Sequence, residues 1–516
     1  MFKQITKLKN IIKILLIGMI LWFVSATINE SFSSYVNTLE YSNVDSSSYS
    51  TEELYNFEGY YESEDGGEQK VEALNENLYG LNELKALQEE STLNNTYYIT
   101  SNYTVDESTQ ETQCRIIAEG QFANQEGTNG LEGALWHLCE GGLLEIGKGF
   151  INWTGNSSPW SEYNYYFGYY LPQMNAGYRG YISEIVFTGA ITAGESLRYL
   201  FSLDNVRTIR GLEHFDTSSV TDMSSMFERT SNLIDLDISR FDTSQVTNMS
   251  RMFHTTGMTS LNLSHFNTSQ VTDMSEIFAG INSLTGLDIS SFDTSQVTDM
   301  SRMFSGVSSL TILDVSNFDT SQVRDMTAMF GGMSSLTILD ISNFDTSQVE
   351  NMHGMFSGAR GLTSLDISNF DTSQVRDMGL MFADKSSLLS IDISNFDTSR
   401  VTSMRMMFRG TRSLTDLDLS NFDTSHVESM YGMFSEARSL TSLDISSFST
   451  SLVRDMNAMF RGVSGLTILD ISNFDTRNVM HMDSMFAEMT SMRELSLGEA
   501  FEFVEGDFWW SLGANL

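Results

Sequence analysis

The second half of the chain repeats one pattern of apolar and polar positions. A phenylalanine marks each copy, and one of the ten intervals between successive marks is 25 residues while nine are 26. The marks are Phe215, Phe241, Phe266, Phe292, Phe318, Phe344, Phe370, Phe396, Phe422, Phe448 and Phe474. A fixed period of this length predicts one structural unit per repeat. Because one unit cannot bury its own apolar face, neighbouring units are expected to stack into a solenoid and form the core together.

Each repeat begins with a segment in which apolar residues alternate locally with polar ones. In the copy that reaches Phe318, the apolar positions are Leu310, Leu313 and Val315, with Asp314 between the last two. This alternation predicts a short strand whose apolar side chains point inward. The Asp-Thr-Ser cluster that follows predicts a turn, since such side chains bond nearby backbone N–H groups.

The second half of each repeat has a wider apolar spacing. Val323, Met326, Met329 and Phe330 stand at i, i+3, i+6 and i+7, which predicts one face of a short helix or 3-10 segment. We assign the methionines to the core, because methionine fills irregular gaps. The sequence therefore predicts an α/β repeat solenoid whose leucine-rich-repeat-like coils each carry a short parallel strand and a short helix or 3-10 segment.

Two motifs in the repeat resemble known families. The strand half is similar to a leucine-rich repeat, and the segment Phe292–Phe304, which reads Phe-Asp-Thr-Ser-Gln-Val-Thr-Asp-Met-Ser-Arg-Met-Phe, resembles the repeat of BspA-like bacterial surface proteins. The resemblance covers roughly residues 211–498 and departs from the pattern at single positions such as Asn267, Ile277 and Ser449. It implies a leucine-rich-repeat fold and the binding of host matrix proteins or other cells.

The remaining segments suggest a secreted chain with a capped repeat region. Residues 1–26 carry four lysines, an uncharged stretch Ile14–Val24 and small residues at a plausible cleavage point, which predicts a signal peptide; an uncleaved membrane anchor is the alternative. We expect no transmembrane helix after it. Residues 27–100 are predicted to be an acidic, mostly disordered spacer with one amphipathic helix at Val71–Leu87, which packs on the next domain or self-associates.

Residues 101–210 are predicted to form a β-rich N-terminal cap, because an open solenoid end would expose its core and its strand edges. Both prolines of the chain lie there, and the aromatic cluster Tyr163–Tyr170 between them is expected to pack in the cap or to stack on a sugar. The repeats are assigned to 211–498, and 499–516 is either a C-terminal cap or a truncated end.

Composition excludes several classes of function. The formal net charge of −38 argues against nucleic acid and anionic membranes as partners. Seven histidines stand at unrelated points of the repeat, and the motifs of phosphate loops, zinc proteases and serine hydrolases are missing from the sequence. We therefore expect no catalytic residues, no enzyme activity and no resident cofactor. Cys114 and Cys139 can form one disulfide or remain free. Two cysteines without a cluster of histidines nearby do not make a zinc site, so we predict no metal site.

Repetition also places identical residues in rows. One row of aspartates, including Asp314 and Asp340, is expected on the strand face, and a second row is expected at the turn. In both rows, the aspartates of adjacent repeats would lie about 4.8 Å apart and their like charges would repel. Backbone N–H groups are expected to offset the turn row. Water, calcium or a basic partner remain open for the strand row.

Binding is best sought at positions that vary while the repeat frame stays fixed. The residue before the second leucine faces outward in leucine-rich repeats, and two isoleucines occupy it in successive repeats. We predict a ligand-binding face from this position and the neighbouring aspartates, namely Asp235, Ile312, Asp314, Ile338, Asp340, Asp416 and Ile468. The expected protein is a monomeric, secreted or cell-surface adhesion protein for host matrix or cell-surface proteins. A structural stalk without a ligand and a calcium-stabilised surface array are the alternatives.

Overall fold

The computed structural model describes residues 114–123, 132–160 and 178–504, together with the backbone at 61–62 and 68–69. The predicted signal peptide, the helix at 71–87, the aromatic cluster at 163–170 and the segment 505–516 lie outside the described residues. Within the described part, no helix combines the length and apolar character that a membrane span requires.

The chain divides into two compact units, residues 1–95 with 162–178 and residues 96–161 with 179–516. The described strands of the first unit are β1 (Tyr61–Glu62) and β2 (Glu68–Gln69), which pair antiparallel. The elements named below belong to the second unit.

The second unit opens with two small sheets in the region predicted as a cap. Their strands are β3 (Ile116–Gln121), β4 (Leu135–Cys139), β5 (Leu143–Ile146), β6 (Gly149–Trp153), β7 (Glu184–Phe187), β8 (Ile191–Leu197), β9 (Thr208–Arg210) and β10 (Phe215–Asp216). A five-stranded sheet has the order β9-β7-β5-β4-β3, and a three-stranded parallel sheet has the order β10-β8-β6. In the larger sheet β3, β4 and β5 pair antiparallel, whereas β5, β7 and β9 pair parallel.

Consecutive repeats lie side by side and are joined by a continuous parallel ladder. The ladder does not run through the Leu-Asp-Ile segments but through one residue per repeat in the Val-Thr-Asp-Met segment, beginning at Ser196. The N–H of Met300 donates to the Asp325 carbonyl at 3.0 Å, and the N–H of Thr298 donates to the Thr272 carbonyl at 2.9 Å. The bridged residues are Ser196, Asp222, Asn248, Asp273, Asp299, Asp325, Asn351, Asp377, Ser403, Ser429, Asp455 and His481.

The short helix or 3-10 segment predicted for the second half of each repeat is not found. This half is a run of tight turns, in which the N–H of Met303 donates to the Met300 carbonyl at 3.2 Å. Alternate N–H groups leave the coil: those of Arg302 and Phe304 donate to the carbonyls of Thr327 and Met329 in the next repeat. Arg302 has a φ of 53°, so the chain changes hand inside what would be a helix. Stacking therefore supplies the hydrogen bonds that a helix would make internally. Among the described residues there is one 3-10 helix, η1 (Leu212–His214), at the start of the repeat region.

The strand half pairs as predicted at two places. β11 (Ser260–Asn262) pairs parallel with β12 (Gly286–Asp288), and β13 (Ile468–Ile471) pairs parallel with β14 (Glu494–Leu497). In the described repeats between them, the equivalent segments keep the in-and-out alternation without an assigned ladder. The prediction of a paired parallel strand in every repeat is therefore wrong for the middle of the array.

The core runs along the repeats as rows of identical side chains. The predicted core residues Leu310, Val315, Met326 and Met329 are buried, which confirms the assignment of the methionines to the core. The phenylalanine after the second methionine stacks on its equivalents, as between Phe330 and the preceding one, with ring centroids 5.9 Å apart and planes 6° apart. Such rows bury apolar surface that a single repeat would leave open to water.

Two rows of polar side chains also join successive repeats. Thr320 is buried, and its hydroxyl donates to the Asp345 carbonyl at 2.8 Å while it accepts the Asp345 N–H at 2.8 Å. The Asn343 side chain donates to the Phe318 carbonyl of the previous repeat at 2.7 Å. These contacts satisfy main-chain groups that have no partner within their own coil.

Candidate binding face

The predicted binding residues project from the strand half because the chain is extended there. Leu313 and Val315 point into the core, whereas Ile312 and Asp314 point to solvent, so successive side chains alternate between the two sides. Ile312 is 79% exposed and Ile338, its equivalent in the next repeat, is 76% exposed. Two large apolar side chains thus lie at the same position of adjacent repeats with almost no cover from the protein.

The structure brings some of the predicted residues together and leaves others apart. Ile312, Asp314, Ile338 and Asp340 belong to two adjacent repeats and form one patch, which we call the isoleucine face. Asp235 lies three repeats before Ile312, and Asp416 lies three repeats after Ile338, about 14 Å along the array at about 4.8 Å per repeat. Ile468, which is 57% exposed, lies two repeats beyond Asp416. The seven predicted residues are therefore not one site.

Asp235 has a different setting from the isoleucine face. It lines an open cleft of about 510 Å³ together with Arg207, Arg210 and Ile234. Asp416 is exposed and its carboxylate accepts a hydrogen bond from the Ser442 hydroxyl of the next repeat at 3.3 Å. Each of these aspartates thus has nearby polar groups of its own.

Sequence reasoning missed two exposed apolar residues on the same half of the repeat. Ile234 and Leu389 are 62% and 64% exposed and stand one position before the predicted row. Threonine occupies that position in most repeats, as Thr311 and Thr337 do. The replacement of this threonine by an apolar residue is the sequence signal that could have identified Ile234 and Leu389.

The aspartates beside the isoleucine face are held by serine donors two residues on. The Asp314 carboxylate accepts the Ser316 N–H at 3.0 Å, and that of Asp340 accepts the Ser342 N–H at 3.1 Å and its hydroxyl at 2.7 Å. The serine hydroxyl and N–H lower the pKa of both aspartates below the ordinary value, while the Asp314 charge acts to raise the pKa of Asp340. The row therefore stays ionised near neutral pH.

The turn row is satisfied in the way that the sequence predicted. The Asp345 carboxylate accepts the Ser347 N–H at 2.9 Å, and the Asp293 carboxylate accepts the Ser295 N–H at 3.0 Å. The hydroxyl and then the N–H of Ser295 lower the pKa of Asp293, and the N–H and then the hydroxyl of Ser347 lower the pKa of Asp345. Local hydrogen bonds thus offset part of the repulsion within each row of aspartates.

A second cluster of chemically capable residues lies in the first sheet of the second unit. Cys114 and Cys139 are joined by a disulfide, with Cα atoms 5.4 Å apart. The ligand atoms of His137 and Glu145 lie within 4.8 Å of the two sulfurs and of each other. His137 was counted among the seven histidines, but its position two residues before Cys139 was not connected with the cysteines. Cys114 lies two residues before β3 and Glu145 lies on β5, so their approach could not be found from spacing.

Together the fold and this face define a class of protein: an array of stacked repeats with a buried aromatic and methionine core and an acidic outer surface interrupted by exposed isoleucines. The family model described as "Mycoplasma protein of unknown function, DUF285" matches residues 195–311, 274–390, 299–416 and 381–498. These overlapping matches span more than half of the chain, and the chain belongs to this repeat family. No curated protein matches the chain.

Solved structures with leucine-rich repeats are similar to the chain at low identity. A leucine-rich repeat protein from Eubacterium ventriosum ATCC 27560 is 14% identical, and the alignment covers 74% of this chain and 90% of that chain with a TM-score of 0.30. A leucine rich cell surface protein from Faecalibacterium prausnitzii A2-165 is 15% identical, with 76% of this chain and 98% of that chain covered and a TM-score of 0.29.

Proposed function

We propose that this chain is a secreted or cell-surface binding protein of the BspA-like type, whose repeat solenoid presents the isoleucine face to a protein partner. The observation that carries the proposal is the exposure of Ile312 and Ile338, which is above three quarters in both residues. Isoleucine is usually buried, and a pair of neighbouring exposed isoleucines costs solubility unless a partner covers them.

The chemistry of the face indicates what kind of partner would fit. The two isoleucines offer an apolar centre, and Asp314 and Asp340 place ionised carboxylates beside them. A complementary partner has an apolar patch bordered by lysine or arginine, since charges of opposite sign favour association and suppress acidic competitors. Host matrix proteins and host cell-surface proteins with basic segments are the partners we propose, bound by a monomer outside the cell.

A pull-down with the full-length chain tests this function. The wild type and the Ile312→Lys/Ile338→Lys variant are immobilised and offered purified matrix proteins, and captured protein is quantified by mass spectrometry. Burying one isoleucine side chain contributes about 1.5–3 kcal/mol. Losing both should therefore weaken capture about a hundredfold or more, since about 1.4 kcal/mol is a factor of ten.

A matched control separates the face from general surface charge. Leu452 and Met480 are also exposed but belong to the turn half, so Leu452→Lys/Met480→Lys makes the same change of charge elsewhere. We expect this control to capture its partner as the wild type does. Equal capture by both double variants would remove the isoleucine face from the proposal, and no capture by the wild type would favour a stalk without a ligand.

A further inference from the structure

The cluster around the disulfide lies on one face of the sheet and is formed by β4, β5 and the residues just before β3. His137 and Cys139 alternate along β4 and so point to the same side. Glu145 of β5 lies directly opposite His137, and Ile116 of β3 lies opposite Cys139, which places the preceding Cys114 next to the same face. The convergence of these side chains follows from the antiparallel pairing of β3, β4 and β5.

The polar contacts of the cluster are short and local. His137 Nε2 lies 2.6 Å from Glu145 Oε2. Cys139 is buried, whereas His137, Glu145 and Cys114 are partly exposed, so solutes can reach the cluster from one side. Arg115, the neighbouring cation, pairs with Glu140 at 3.3 Å. The positive charge of Arg115 is therefore partly neutralised by Glu140, which is not one of the four cluster residues.

We infer that Cys114, His137, Cys139 and Glu145 form a zinc site when the disulfide is reduced. Two thiolates, one imidazole and one carboxylate are a donor set that Zn²⁺ binds tetrahedrally, with Zn–S distances of about 2.3 Å. Tetrahedral geometry at that distance separates the two sulfurs by about 3.8 Å. The Cα atoms are 5.4 Å apart, and small χ1 rotations of the freed thiols reach this separation.

The redox step balances with a thiol reductant. A dithiol transfers two electrons and two protons to the disulfide: its S–S bond breaks, Cys114 and Cys139 become thiols, and the dithiol becomes a disulfide. Zn²⁺ then binds the two thiolates and releases their two protons to solvent. In the oxidised protein, His137 and Glu145 remain as two donors, which is too few for a closed site. The disulfide thus decides whether the metal binds, and zinc replaces the covalent link between Cys114 and β4 under reducing conditions.

Cobalt spectroscopy on the full-length chain tests the site. The protein is reduced with a phosphine, which takes up the oxygen of one water molecule as the disulfide becomes two thiols, and the reductant is removed without oxygen. We expect one Co²⁺ per chain, with thiolate-to-cobalt charge-transfer bands and tetrahedral d–d bands that Zn²⁺ abolishes. The oxidised protein should show neither set of bands.

Variants at the four positions make the assignment specific. His137→Ala and Glu145→Gln should each weaken Zn²⁺ binding at least tenfold in the reduced protein, and Cys114→Ser/Cys139→Ser should abolish the charge-transfer bands. His265→Ala removes a histidine far from the cluster and should bind as the wild type does. Circular dichroism of each reduced sample verifies that the chain is folded.

Three results would overturn the inference. One is a folded, reduced wild type without charge-transfer bands. Another is Zn²⁺ affinity that is unchanged in both His137→Ala and Glu145→Gln. The third is a wild type that loses its structure on reduction and does not regain it with Zn²⁺.

Discussion

The replacement of Lys385 by methionine should stabilise the protein at neutral pH. Lys385 is fully buried in the array, where its ammonium nitrogen lies 3.2 Å from the Ala359 carbonyl oxygen and 5.8 Å from the ring centre of Phe356. Other repeats place an apolar residue at the equivalent position, among them Val307 and Met333. Methionine is therefore already accommodated at this site of the coil.

The size of the effect follows from the pKa of Lys385. Burial lowers the pKa from 10.5 to about 7, because the apolar surroundings disfavour the charged amine. Between these values the unfolded chain binds a proton that the native chain does not hold, so stability falls as the pH is lowered from 10.5 to about 7 and is level below. A difference of about 3.5 pKa units corresponds to a loss on the order of 5 kcal/mol at pH 7, as an upper bound.

Urea unfolding between pH 6 and pH 10 measures this linkage. We expect Lys385→Met to be several kcal/mol more stable than the wild type at pH 7, with the difference shrinking steadily toward pH 10. Lys148→Met removes an exposed lysine and should leave stability almost unchanged at every pH. A gain at Lys385 that does not vary with pH would show that packing causes it, and the argument from the buried amine would be refuted.

Three further predictions concern the rows of the array. Thr320→Val should cost about 1–3 kcal/mol in chemical unfolding, because the Asp345 N–H and carbonyl lose their partner, while the exposed Gln322→Ala should be neutral. Asp299→Asn should raise the melting temperature at pH 7 but not below about pH 4. Burial is the main cause that raises the pKa of Asp299, and the carboxylates of the flanking repeats raise it further, so the charged form of Asp299 destabilises the folded state. Because serine donors already satisfy the carboxylates of the strand row, we expect the same melting temperature in millimolar calcium and in chelator; a clear rise with calcium would support the calcium-stabilised alternative.

The period, the core and the outward position of Ile312 and Ile338 could be predicted from the sequence. Each depends on which side of the coil a residue faces, and apolar spacing reports that directly. The burial of Met326 and the exposure of Asp314 follow from the same rule. The disulfide and the approach of His137 and Glu145 to it could not be derived from the sequence. Their distances depend on the pairing of β3 with β4 and of β4 with β5, which residue spacing does not reveal.

The helix was predicted wrongly because spacing does not reveal where hydrogen bonds go. Residues at i and i+3 share a side in a helix and equally in a run of turns, as Met300 and Met303 do. The recurring glycines of the repeat argue against a helix. Gly306, Gly332 and Gly358 recur two residues after the core phenylalanine with φ near +70°, which an α-helix does not use.

The location of the ladder explains how the exposed positions of the strand half can vary. The bonds that join successive coils are concentrated in the turn half and in the threonine row, as between Met300 and Asp325 and between Thr320 and Asp345. The strand half in the middle of the array is held mainly by its buried leucines and by side chains such as Asn343. Substitution at Ile312 or Ile338 therefore removes no contact that sets the register of the repeats. A surface of this kind can change its exposed residues while the stack beneath it stays the same.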